Sequence, residues 1–288
     1  YSLTKLKKRN EVIFLKTKDP KHLQAKAKAI RLGILKAIGV DNKGHLGGSM
    51  SSADLVAALY FYKMNHSPNS PDDPDRDRFI FSKGHSALTQ YAALAECGYF
   101  DKAELPNTKK LGSILQGHPE MDCTPGIECN TGSLGQGLSL GLGIALGGKL
   151  DGKTYKVYVI VGDGELAEGQ IWEAATAASF YKTDNLVAII DHNKLQATGP
   201  LATHFDVGNI AAKFQAFGWK TFEIDGHDMA AIVDVLDEVD QVQNQPSAII
   251  AHTVKGKGVS FAEGVAGFHN GEMNAEQFEQ AISEISRM

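Results

Sequence analysis

Apolar residues recur at helical spacing near the start of the chain and in unbroken strand-length runs through its second half. Over residues 20–38, Leu23, Ala27, Ile30, Ile34 and Ile38 fall three or four positions apart, which predicts an amphipathic helix. The glycine-rich turn KGHLGG at 43–48 is expected to stop it. Ser51 and Asp54 then stand three apart ahead of an apolar run, a capping-box pattern opening a second helix over 55–63. Residues 65–78 carry Pro68, Pro71 and Pro74 among polar turn formers and read as a loop. A short strand at 78–82 and a helix at 86–96 follow, while 101–131 shows no clear period.

The pattern changes at Tyr155. YKVYVIV at 155–161 and LVAIID at 186–191 are apolar and rich in β-branched residues, as strands buried on both faces of a parallel sheet are. Helical stretches at 170–181, 210–217 and 229–243 alternate with further strands at 220–224 and 247–253. The expected class is α/β, a mostly parallel sheet flanked by helices with right-handed crossovers. With no internal repeat or low-complexity segment, 1–288 reads as one domain with an N-terminal helical extension at about 1–40. Glycines 137, 141, 143, 147 and 148 lie in an apolar run and predict a helix that packs tightly, against the domain or a partner. They lack the full GxGxxG spacing and a preceding strand, so a dinucleotide site is not expected.

Composition narrows the setting. Hydrophobic residues make up 43% and charged residues 22%, which supports a sizeable core. A net charge of −5 gives no basic surface for nucleic acid, and the acidic run at 72–75 reads as a solvated loop. Cys97, Cys123 and Cys129 have no CxxC spacing, which argues against a zinc site or a disulfide framework. Such sparse cysteine usage fits a reducing compartment. The basic start carries an apolar run at 12–15 too short for a signal-peptide core, and nothing approaches the roughly 20 apolar residues of a membrane span. A cytoplasmic protein with no membrane partner is expected.

The sharpest chemical signal is VGDGELAEGQIWEA at 161–174 with IDHNKL at 190–195. Gly-Asp-Gly falls where a buried strand ends and a helix is about to begin, the edge at which open α/β sheets bind ligands. Glycines let a phosphate approach the backbone, and the following helix offers unpaired N–H groups. Asp163 supplies a hard carboxylate oxygen, and Asn193, thirty positions on at the next strand end, supplies an amide oxygen. Magnesium prefers six oxygen ligands and is commonly held by one or two protein groups plus phosphates. Asp163, Asn193, a backbone carbonyl and two diphosphate oxygens would make such a site.

GDGELAEGQIWEA followed by DHNKLQATG resembles the GDG…N magnesium-diphosphate motif of thiamine-diphosphate enzymes, in its transketolase form. KGHLGGSMS at 43–51, DRDRFIFSKGHS at 75–86, GHPE at 117–120, TGSLGQG at 131–137, FGW at 217–219 and IDGH at 224–227 are similar to further transketolase blocks, in family order, over about residues 20–270. The resemblance implies the thiamine-diphosphate-binding fold of a diphosphate-binding (PP) module. It implies Asp163, Asn193 and the main-chain carbonyl of Leu195 as ligands to Mg2+, or to another divalent cation such as Ca2+ or Mn2+. Gly164 and His85 would contact the diphosphate, and Gly132, Ser133 and Leu134 would approach the pyrimidine and thiazolium through the main chain. His45 and His118 would line the channel for the sugar carbonyl and hydroxyls, with His269 at its mouth. Glu168 resembles a buried acid near the subunit contact. His66, His204, His227 and His252 keep a structural reading, and His192 reads as a packing residue.

There are departures. Two family prolines are replaced, in GHL at 44–46 and TGSL at 131–134, and His269 lies in GFHNG, one residue out from the family's His-Gly pairing. The chain also ends where the first domain of a full transketolase would end. The aminopyrimidine-activating glutamate and the phosphate-gripping arginines are absent from the matched region. The expectation is a split enzyme, two copies each of this chain and a C-terminal pyrimidine-binding subunit, transferring a two-carbon ketol unit from a ketose phosphate to an aldose. The rivals are a 2-oxoacid dehydrogenase α chain, a 1-deoxyxylulose-phosphate-synthase-like chain, a non-catalytic cofactor binder and a nicotinamide-dependent oxidoreductase.

Overall fold

The buried runs of the second half pair into one sheet. The computed structural model describes residues 16–288, so the part of the expected extension at 1–15, with its apolar run at 12–15, lies outside the described residues. Strands β1 (Arg78–Phe81), β2 (Val157–Gly162), β3 (Leu186–His192), β4 (Lys220–Asp225) and β5 (Ser247–His252) lie in the order β1-β2-β3-β5-β4. All four pairings are parallel. Short two-residue strands pair antiparallel elsewhere, Lys43–Gly44 with Gly271–Glu272 and Leu195–Gln196 with Gly199–Pro200.

Side chains alternate across a strand, so each central strand feeds two cores. Val157, Val159 and Val161 point into one, with Leu138, Leu142, Ile171 and Phe214. Tyr158 and Ile160 point into the other, with Leu23, Ile30, Tyr91, Ile232 and Ile285. The first core is covered by α5 (Gln136–Leu150), α6 (Gly169–Phe180) and α7 (Ile210–Ala216). The second is covered by α1 (Pro20–Ile38), α3 (Ala53–Ala58), α4 (Leu88–Cys97), α8 (Met229–Glu238) and α9 (Ala275–Arg287). Among the described residues no helix is long and apolar enough to cross a membrane.

Helix α1 begins with Asp19 accepting from the Lys21 amide (3.1 Å) and with Pro20 in the first turn, where a missing N–H is harmless. Its inner face is wholly buried at Leu23, Ile30, Ile34 and Leu35, so it is built into the domain rather than appended to it. The turn at 43–48 does not stop it. Gly39 does, at φ 73°, a left-handed conformation that glycine adopts without steric penalty, with its amide returning to the Leu35 carbonyl. Leu46–Ser51 instead forms a short helix, α2.

The capping box at Ser51–Asp54 does not form either. The Ser52 hydroxyl donates to the Gly48 carbonyl (3.1 Å) and to Asp191 (3.2 Å), while Asp54 accepts from Arg31 (Nη1, 3.0 Å) and His227 (2.7 Å). Arg31 is 2% exposed, and an unpaired buried charge is far more costly than an uncapped helix end. The Arg31 guanidinium and the His227 Nδ1–H therefore claim the carboxylate. The helix expected at 55–63 ends at Ala58 and continues as a π-turn over Leu59–Lys63.

The glycines of α5 divide by face. A Cβ on Gly141 would lie 2.6 Å from Val159 Cγ2, whereas one on Gly143 would meet nothing within 4 Å. Gly141→Ala should therefore lower the unfolding free energy by about 1–3 kcal/mol through overpacking. Gly143→Ala should raise it by roughly 0.5–1 kcal/mol, because alanine restricts the unfolded chain. Urea unfolding of the two variants checks both signs.

Candidate functional site

The C-terminal ends of β1, β2, β3 and β5 open onto one cavity of about 220 Å³. In the register of β2 and β3, Gly162 stands opposite Asp191, which brings the two tips side by side. Asp163 starts a tight turn over Gly164–Ala167 and is 3% exposed. Its Oδ1 accepts from the Gly164 amide (2.8 Å) and its Oδ2 from the Lys194 amide, so one carboxylate ties the two tips together. Asn193 Oδ1 accepts from the Leu195 amide (3.1 Å), and its Nδ2 donates to Asp191 (3.2 Å).

Asp163, Gly164, Asn193, Leu195, Leu134, His85 and His269 all line this cavity. The ring of His45 lies 5.0 Å from that of His85 and 5.5 Å from that of His269, and His85 and His269 stack at 5.0 Å, so three histidines from distant segments form one cluster. His118 lies outside the cavity wall, beside Gly132, whose added Cβ would fall 3.0 Å from the imidazole. Ser133 is exposed and does not reach the wall. Glu168 is also exposed in this chain. The buried acid of this turn is Glu165, 2% exposed, which accepts from Ser82 and from the amides of Gly135 (2.8 Å) and Gly162 (3.0 Å).

Of the remaining histidines, His66, His204, His227 and His252 make ordinary structural hydrogen bonds; His227 bridges Asp54 and the Val254 amide (2.8 Å). His192 Nδ1 lies 3.3 Å from Asp163 Oδ2, within ion-pair range but not aligned as a hydrogen bond.

Two lysines on the wall escaped the sequence reading. The Lys83 ammonium, 3% exposed, donates to Asp191 and to the Gly48 carbonyl (2.6 Å). The Lys255 ammonium donates to the Leu195 carbonyl (2.7 Å) and to His269 Nδ1 (2.9 Å), which leaves the His269 proton on Nε2. Both lysines closely follow strands, β1 and β5. The rule that ligands bind beyond the carboxyl ends of parallel strands would have flagged them, had it been applied beyond the glycine motif.

The electrostatics follow from burial. Burial holds His45 down to about 4, helped by Lys109, His118 and Lys255. It holds His85 down to about 2 and His269 to about 4, with Lys83 and Lys255 respectively the largest contributing charges. Burial, with Lys83 nearby, lowers Lys255 to about 8, against the pull of Asp163 and Asp191. For Asp191 burial pushes upward, but the Lys83 charge and the hydrogen bonds of Lys83, Thr253 and Ser51 outweigh it and hold the carboxyl at about 2.

The donor set suits a metal–diphosphate group. Among the described residues no group of three or more His, Cys, Asp or Glu side chains could hold a metal by themselves. A cation here would instead draw on one carboxylate, one amide and one carbonyl, hard oxygens that leave room for phosphate oxygens. The two ammonium groups supply charge for an anion, and His45 Nδ1 is buried with no protein partner.

Residues 23–285 match the family described as transketolase, thiamine diphosphate binding domain, and the chain belongs to that family. It is 41% identical over 264 residues to one of the subunits of the apulose-4-phosphate transketolase of Phocaeicola vulgatus, covering 92% of this chain and 94% of that one. It is 42% identical over 265 residues to a 6-deoxy-6-sulfo-D-fructose transketolase subunit of Clostridium sp., covering 92% and 96%. The solved transketolase of Campylobacter jejuni superposes with a TM-score of 0.87 at 31% identity, covering 92% of this chain and 43% of that one. The chain thus spans about two fifths of the length of the solved transketolases it matches.

A pH dependence follows from the cavity imidazoles. An unfolded imidazole titrates near 6.5, so below that pH the unfolded chain takes up protons that the folded cavity refuses. Their contribution to stability is full above about 6.5 and declines as the pH falls toward 4. His85→Asn should flatten the decline in melting temperature between those pH values, as read by circular dichroism. An unchanged slope would mean that the native imidazole titrates normally.

Proposed function

We propose that this chain is the diphosphate-binding half of a thiamine-diphosphate-dependent transketolase, active with a separate C-terminal subunit. The observation that carries the proposal is the convergence of Asp163, Asn193 and the Leu195 carbonyl, with Lys83 and Lys255, on one cavity at the sheet edge. In this reading Asp163, Asn193 and Leu195 hold Mg2+, or Ca2+ or Mn2+ in its place. The Gly164 backbone, His85 and the two lysines take the diphosphate, with Lys255 turning from the Leu195 carbonyl toward the phosphates. The main chain of Gly132, Ser133 and Leu134 flanks the rings of the cofactor. Thiamine diphosphate, when bound, supplies a thiazolium carbon that becomes the nucleophile on losing its proton. The protein's task is to hold that carbon at the substrate channel and keep water out.

His45, His118 and His269 are assigned to the sugar. Burial keeps His45 and His269 uncharged at neutral pH, so His45 offers one donor and one acceptor to a substrate carbonyl and its hydroxyls, while His269, whose Nδ1 accepts from Lys255, offers its Nε2–H. The relatives' names, apulose-4-phosphate and 6-deoxy-6-sulfo-D-fructose, support a ketose with an anionic group as the donor. A cytoplasmic setting accompanies this reading.

The relatives are named as transketolase subunits, which also supports a partner. So does the outside of α5 and α6, where Leu140, Gly143, Leu150 and Phe180 are exposed, with Glu168 exposed just ahead of α6. Two copies of each chain make the simplest symmetric assembly.

Two outcomes are expected. In calorimetry with Mg2+ and the pyrimidine-binding subunit present, the Asp163→Ala, Asn193→Ala double variant should bind thiamine diphosphate roughly a hundredfold more weakly or worse, because it loses both side-chain metal ligands. Uptake as tight as that of the unaltered chain would sink the cofactor assignment. In a ketol-transfer assay the chain alone should be inactive, and should gain activity when the pyrimidine-binding subunit is added. Full activity without it would refute the split-enzyme reading.

A further inference from the structure

Asp191 is the penultimate residue of β3, bonded to the cavity-wall residues Lys83 and Asn193, and its side chain is wholly buried. Five side-chain donors from four parts of the chain converge on its carboxylate. They are the hydroxyls of Ser51 (2.7 Å) and Ser52 (3.2 Å), the Lys83 ammonium, the Asn193 amide NH2 (3.2 Å) and the Thr253 hydroxyl. An ionised carboxylate accepts at all of its lone pairs and donates nothing, whereas a carboxamide would turn its own NH2 against at least one of these donors. The surroundings therefore demand a carboxylate. Ser51, which sequence pattern assigned to a helix cap, is spent here together with Ser52.

Two of the five donors, Lys83 and Asn193, are also cavity-wall residues, and a third, Thr253, is two residues from the wall residue Lys255. We infer that Asp191 is a positioning residue for the cavity, fixing which end of the Asn193 carboxamide serves as its oxygen donor and holding the Lys83 ammonium against the wall. The oxygen and nitrogen of a carboxamide are nearly the same size, so sterics alone do not choose between its two orientations. Asp191 chooses. By taking the NH2 it leaves Oδ1 on the side of the Leu195 amide, where a metal can share it. The inference rests on the metal–diphosphate reading of the cavity.

The test is a pair of calorimetric titrations of the full chain together with the pyrimidine-binding subunit: thiamine diphosphate at fixed Mg2+, and Mg2+ at fixed thiamine diphosphate. Asp191→Asn should weaken cofactor uptake roughly ten- to a hundredfold, the usual effect of removing an outer-shell partner. It should also raise the Mg2+ concentration needed for half-saturation. Ser51→Ala, which removes a donor that is not on the wall, should leave both values near those of the unaltered chain. The Mg2+ midpoint is the discriminating readout, since partial misfolding lowers the amount of competent protein without moving it. Should Asp191→Asn fail to fold, Lys83→Met is compared with Lys83→Met/Asp191→Asn, in which neither buried charge remains; the double variant should need more Mg2+ than the single one. An unchanged Mg2+ requirement in either comparison overturns the inference. Failure of the unaltered chain to bind thiamine diphosphate at any Mg2+ concentration, with the pyrimidine-binding subunit present, overturns the cofactor reading instead.

Discussion

Parallel pairing of β2 with β3 is the constraint on which the rest depends. Gly162 opposite Asp191 sets Asp163 and Asn193 on neighbouring tips. The register is locked from both sides, because Val157, Val159 and Val161 belong to one core and Tyr158 and Ile160 to the other. A slip of one residue would send each set to the wrong face. Geometry at the cavity is thus inherited from apolar packing some distance behind it. The Asp163 carboxylate, bonded to an amide from each tip, completes what the packing begins.

Charge is concentrated behind that edge to a degree stability alone does not explain. Lys83, Asp191, Glu165 and Lys255 are each no more than 3% exposed. A buried ion pair is often no better for stability than well-packed apolar residues of the same volume, because removing both ions from water offsets their attraction. Retaining Lys83 and Asp191 makes sense where a fixed charge pattern is needed at a surface. Low dielectric around the cavity strengthens each interaction with a charged group placed there. The same burial keeps the three clustered histidines neutral, so the cavity presents localised cations beside uncharged donors and acceptors.

The outer face of α5 and α6 shows a different economy. Gly137 and Gly141 let α5 approach Ser82 and Val159 closely, while Gly143 and Gly147 face open space. The inner glycines have their explanation within this chain. The outer ones have none here and lie on the face assigned above to a partner.

Local signals carried the elements: the apolar runs of β2, β3 and β5, the periodic face of α1, and the Gly-Asp-Gly turn followed by Asn193. Each depends on residues a few positions apart, and each stands close to where pattern placed it. Tertiary structure alone decided which carboxylate meets which donor. Asp54 went to Arg31 and His227 instead of a helix cap, Ser51 and Ser52 to Asp191, and Lys83 and Lys255 to the cavity wall. It decided that Glu165 is buried within this chain while Glu168 is exposed on it, and that His45, His85 and His269 share one cluster. Those partners lie between 14 and 224 residues apart along the chain, where no period or motif connects them. A buried charge is satisfied by whatever the fold brings within reach, and only the packed sheet determines what that is.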